Sequence, residues 1–166
     1  MPTFSDHMSA FHAALQQGSI QPAYSGLLQF PLDLRTRFQK SHPEYDVPGT
    51  FYSGYMDMSY FAIVPPALKP LKLKIALVFA YSDFRFEVWL SGVNRAVQEH
   101  YYDLIRNSGW NKYPLVNEIK GSDAILTHVL ALEPDWSDLP ALANRLESGT
   151  LTFIRDVEAW VTKQNR

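Results

Sequence analysis

The sequence predicts an α+β fold: a four-stranded, mostly antiparallel sheet, made of a three-strand meander plus one strand after a crossover helix, with N-terminal and C-terminal helices packed on it. Three observations predict it. Apolar residues recur at helical spacing before residue 40 and again after residue 91. Between Thr50 and Ser91 the period changes to two, with short turns between the segments. A separate apolar run, Ala124 to Leu132, lies between two helical segments.

The elements follow in order. Phe4, Met8, Phe11 and Leu15 share one helical face, with Ser5 as the expected cap and Gly18 as the stop. A second helical region starts near Pro22 and carries Leu27, Leu28, Leu34 and Phe38. Pro31 predicts two helices there, or one bent one, because proline lacks the N–H of a helix interior. Ser41 to Gly49 reads as a loop, and Thr50 to Val64 as an aromatic-rich strand. Leu71 to Ala80 alternates: Leu71, Leu73, Ile75, Leu77 and Phe79 face one side, with Lys72, Lys74, Ala76, Val78 and Ala80 on the other. Tyr81 to Asp83 supplies a turn, and Phe84 to Ser91 alternates again. The segments pair as an antiparallel meander. Ser91 is the expected cap of a helix that Gly109 closes, and Asp138 with Pro140 opens a helical hairpin or bent helix to about Thr162.

The 166 residues suit a single domain spanning 1–166. The 19% of charged residues lies below the usual value of roughly 25%, and aromatics reach 14%. That excludes a wholly disordered chain. The net charge of -2 provides no basic field, so nucleic acid is not an expected partner. The absence of cysteine removes disulfides, thiolate metal sites and cysteine nucleophiles. The first residues lack the pattern of a signal peptide, and no stretch suits a membrane span. The expected location is cytoplasmic. No phosphate loop, nucleophile elbow, zinc-helix motif or calcium loop occurs. No cofactor and no metal is therefore expected, and no catalytic residue can be named.

Candidate site residues are those whose polarity the pattern does not need. Arg85, Glu87 and Trp89 alternate with Phe86, Val88 and Leu90. An odd-sum register across the turn sets them on the same face as Lys74, Ala76 and Val78. The bland reading is a half-buried Arg85–Glu87 ion pair under a helix; the sharper one is a charged cleft. Asp57 stands in an aromatic run, although Asp is disfavoured in strands. It either accepts backbone N–H bonds at a turn or faces the same cleft as Glu87. Arg95 lies in a first helical turn, where a cation is unfavourable, so it needs Glu99 or an anionic ligand as partner. Tyr55, Tyr60, Trp89, Tyr101 and Tyr102 form either an aromatic wall or part of core and rim. His128, inside an apolar strand, reads as a core histidine.

The runs Gly54-Tyr55-Met56-Asp57-Met58-Ser59-Tyr60-Phe61, Leu73-Lys74-Ile75-Ala76-Leu77-Val78-Phe79 and Arg85-Phe86-Glu87-Val88-Trp89-Leu90-Ser91-Gly92-Val93-Asn94-Arg95 resemble a small uncharacterised bacterial family, a domain of unknown function. The likeness extends to Ala23-Tyr24-Ser25-Gly26-Leu27-Leu28 and Leu34-Arg35-Thr36. It implies a bacterial, single-domain protein and assigns no activity or residue roles. A weaker likeness is to metal-dependent nucleases of the restriction-enzyme type, but Glu87-Val88-Trp89 carries Trp where their pattern needs Lys.

The leading expectation is a binding module. Its cleft, on one sheet face, is lined by Tyr55, Asp57, Lys74, Arg85, Glu87, Trp89 and Arg95, and takes a small polar ligand or a protein segment. The alternative is a metal-dependent or acid–base hydrolase using Asp57 and Glu87. A third reading is a structural protein that self-assembles into a homo-oligomer through its exposed aromatics.

Overall fold

The computed structural model describes residues 1–166. Helix α1, Phe4–Gln16, is followed directly by α2, Ile20–Ser41. Strands β1 (Phe51–Tyr52), β2 (Met58–Ile63), β3 (Leu73–Ala80) and β4 (Arg85–Gly92) form an antiparallel meander. Helix α3, Arg95–Ser108, leads to β5, Leu126–Ala131, which pairs antiparallel with β4. Helix α4, Leu139–Gln164, ends the fold. The sheet order is β1-β2-β3-β4-β5, an open sheet with every pairing antiparallel.

The α+β class, the meander and the strand after a helix are those the sequence predicts, with one strand added. The segment Thr50 to Val64 is a hairpin rather than one strand. Gly54, at φ +66, and Met56, also at φ +66, turn the chain back so that Tyr52 pairs with Tyr60. Positive φ is cheap for glycine, and here no other residue fits: an added Cβ would lie 2.1 Å from the Met58 carbonyl oxygen.

Other differences concern helix ends. Thr3, not Ser5, caps α1: its hydroxyl accepts from the Asp6 N–H while the Asp6 carboxylate accepts from the Thr3 N–H. Pro31 sits within α2 as a buried residue of one continuous helix. Asn94, not Ser91, caps α3, because Ser91 still belongs to β4 and donates its hydroxyl to the Asp123 carbonyl. The last helical region is one helix, not a hairpin. Gly149 lets it approach β5, where a Cβ would meet Leu130 Cδ2 at 2.7 Å.

Alternation decides which sheet face is buried. Phe61, Ile63, Ile75, Leu77, Phe79, Phe86, Val88, Leu90 and Leu126 point to the face that Phe30, Leu34 and Phe38 of α2 and Phe153, Ile154 and Val157 of α4 cover. All belong to one core cluster of 27 buried residues. His128 shares that face, between the rings of Tyr113 and Phe153 at 4.9 and 6.3 Å. Burial pushes its imidazole below the ordinary histidine value. Below about pH 6.5 the unfolded chain therefore takes up this proton more readily than the folded one. Stability is expected to fall as the pH drops below that value, and urea melts of His128→Gln should show a flatter loss.

Candidate functional site

The opposite sheet face carries Tyr60, Lys74, Ala76, Val78, Arg85, Glu87, Trp89 and Ser91, and the core cluster includes none of them. The register is odd-sum, as expected: Ala76 pairs with Trp89, Val78 with Glu87 and Ala80 with Arg85. Val78 is fully buried on this face, with Tyr60 and Glu87 as its partners on the neighbouring strands.

Glu87 is 6% exposed and fully engaged. One carboxylate oxygen accepts from two Arg85 nitrogens, each at 2.7 Å. The other accepts from the Trp89 indole N–H at 2.6 Å. Residues two apart on a strand share a face, so the Arg-x-Glu-x-Trp spacing builds this network within one strand. Glu87 thereby fixes the ring of Trp89.

Trp89 is one wall of a cleft of about 540 Å³. Tyr52, Met58 and Tyr60 of the first hairpin form another wall, with the two tyrosine rings 5.2 Å apart. Lys74 and Ala76 lie on the floor strand. Val93 to Arg95, Gln98 and Glu99 line the end where α3 begins, and Gly121 to Asp123 close the rim. Gln98 staples that end: its side chain accepts from the Gly92 N–H at 2.6 Å and donates to the Ser122 carbonyl at 3.2 Å. Gly92 permits the close approach of α3, since a Cβ there would stand 2.7 Å from the Gln98 backbone nitrogen.

Of the residues expected from sequence, Lys74, Trp89 and Arg95 line this cleft. Arg85 and Glu87 stand behind Trp89 and satisfy each other. Tyr55 is 81% exposed in the hairpin turn. Asp57 also belongs to that turn. The Met58 and Tyr55 N–H groups hold its carboxyl below the usual carboxylate range. Tyr101 and Tyr102 pack against the core instead of lining the cleft. Glu99 makes no ion pair with Arg95. Sequence reasoning missed Tyr52, Met58 and the 121–123 rim. The hairpin pairing was the hidden signal for the first two, and nothing local marks the rim.

Lys74, Arg95, Glu99 and Asp123 all line the cleft, and none enters any ion pair of the protein. A second cleft, of about 450 Å³, differs in that respect. There Arg37 of α2 forms an ion pair with Glu147 of α4, and the imidazole of His42, the C-cap of α2, hydrogen-bonds the same carboxylate at 2.8 Å, so the polar groups at its centre clamp two helices together. No group of three His, Asp or Glu side chains in the molecule is placed to hold a metal ion. No helix is long and apolar enough to cross a membrane.

A family model described as a domain of unknown function, DUF7000, matches residues 4–161 of the chain. No curated protein and no solved structure matches it.

Proposed function

The chain belongs to the DUF7000 family, and we propose that it is a binding module whose cleft takes a small polar ligand carrying charge of both signs. One observation carries this reading. Two cations and two anions converge on the same cleft without partners, while Arg85, Glu87, Arg37 and Glu147 are paired elsewhere. A volume of about 540 Å³ lies within the range of small-ligand sites, roughly 300–1,000 Å³. The start of α3 adds its positive end to Lys74 and Arg95, which favours the ligand's anionic group there. Asp123 and Glu99 would take the cationic group, and Trp89 and Tyr60 the apolar part. Amino-acid-like zwitterions fit this pattern best.

The hydrolase reading has less support. Asp57 spends its carboxylate on its own turn, and Glu87 spends both oxygens on Arg85 and Trp89.

A thermal-shift screen of amino acids, nucleotides, sugars and divalent metals tests the proposal. A ligand at about 100 times its Kd adds roughly 2.7 kcal/mol. For a chain of this size that raises Tm on the order of 5–10 °C. The expected hit is a zwitterion, and it should vanish in Lys74→Ala with Arg95→Ala. Neither cation holds a partner, so the unliganded double variant should stay within about 1 kcal/mol of the parent. A hit that survives the double variant would remove the cleft from the account. A metal effect lost in Glu87→Gln would favour the hydrolase instead.

A further inference from the structure

Helix α1 presents an uncovered seam. It buries none of its residues, and its principal tertiary neighbour is α2, the next element in the chain. Phe4 is 79% exposed, Met8 and Phe11 are each 47% exposed, and Leu15 is 38% exposed. Their spacing of four, three and four is that of the apolar seam by which two helices pair. Ile20, which opens α2 only four residues after α1 ends, is 38% exposed. A helix of 13 residues with no packed face is marginal in water, even with a capping box.

We infer that α1 is a self-association element, pairing along Phe4, Met8, Phe11 and Leu15 with the α1 of a second copy about a two-fold axis. Charge selects this occupant. From Met1 to Leu32, Asp6 is the only Asp, Glu, Lys or Arg, so the surface offers a charged partner almost nothing to pair with and has little to repel its own copy. A membrane-surface helix would carry Lys or Arg on its polar face, and α1 carries neither. The area is also sufficient. Taking about 200 Å² per large side chain, the exposed fractions of the five apolar residues leave roughly 500 Å² on each copy. A two-fold pairing then buries roughly 1,000 Å², at the threshold for a specific interface. A two-fold contact uses the same patch on both copies, as a single uncovered helix requires.

Sedimentation equilibrium of the full chain from low to high micromolar concentration tests this. The mass should rise from 19.0 kDa toward twice that value. Met8→Glu combined with Phe11→Glu should hold it at the monomer, with the same circular dichroism of the folded body, because α1 contributes nothing to the core. Ala13→Glu lies on the opposite side of α1 and should dimerise like the parent. A parent chain that stays monomeric throughout, or a dimer that persists in the double variant, would overturn the inference. So would a monomeric parent that binds anionic phospholipid vesicles, which would make the seam a membrane contact.

Discussion

Phe79→Ala is expected to cost about 4 kcal/mol, as truncation of a fully buried phenylalanine does. Phe79 is 1% exposed, near the end of β3 where the chain turns into β4. Its ring lies 5.1 Å from both Tyr81 and Phe84, 5.0 Å from Phe86 and 5.9 Å from Trp136. Truncation removes the transfer energy of a buried phenyl and leaves a cavity ringed by aromatics that cannot all collapse into it. It also forfeits edge-to-face contacts, each worth about 0.5–1.5 kcal/mol. Urea unfolding measures the effect directly. With a slope of about 2 kcal/mol/M, the midpoint should fall by about 2 M. Phe84→Ala is the control. Phe84 is 54% exposed, so its truncation should cost far less.

Glu87→Ala is expected to cost about 2–3 kcal/mol. Breaking a fully buried ion pair costs roughly 3–5 kcal/mol. Here the stranded partners retain some access to water, since the Arg85 side chain is 27% exposed and Trp89 is half-buried. The loss is correspondingly smaller. Glu87→Gln keeps an acceptor for one of them and should lose about half as much. The diagnostic consequence lies in the cleft. Without Glu87 the Trp89 indole loses the bond that orients it, so affinity for a ligand of the proposed cleft should drop even though Glu87 does not line it.

Much of this architecture is legible in the sequence because periodicity carries it. Leu73 to Ala80 and Arg85 to Ser91 alternate so regularly that their pairing register follows from the length of the turn. That register also joins Arg85, Glu87 and Trp89 on one face. The first hairpin was hidden because aromatic residues recur on both sides of its turn, from Phe51 to Phe61, and the turn is made by Gly54 and by Met56 at a positive φ that methionine does not advertise. The helix caps moved because Ser5 and Ser91 look like caps locally. Thr3 has the reciprocal Asp6, and Ser91 is held in its strand by Asp123, 32 residues away.

The candidate cleft was legible only in part, for the same reason. Lys74, Trp89 and Arg95 lie on elements whose period exposes them. Asp57 was a natural candidate because a carboxylate among aromatics looks exceptional. In the fold it is a turn acceptor for the Tyr55 N–H. The 121–123 rim has no period to read. It is brought to the cleft by the Gln98 side chain and by the Ser91 hydroxyl.

Amide shift mapping by two-dimensional NMR tests the cleft most directly, with the strongest zwitterionic hit titrated into the full chain. The perturbed amides should cluster at Lys74, Trp89, Gly92 to Arg95 and Gly121 to Asp123, and the same titration of the Lys74→Ala, Arg95→Ala variant should leave them unmoved. Perturbations centred on His42 and Glu147, or on α1, would contradict the account and move the binding site to another surface.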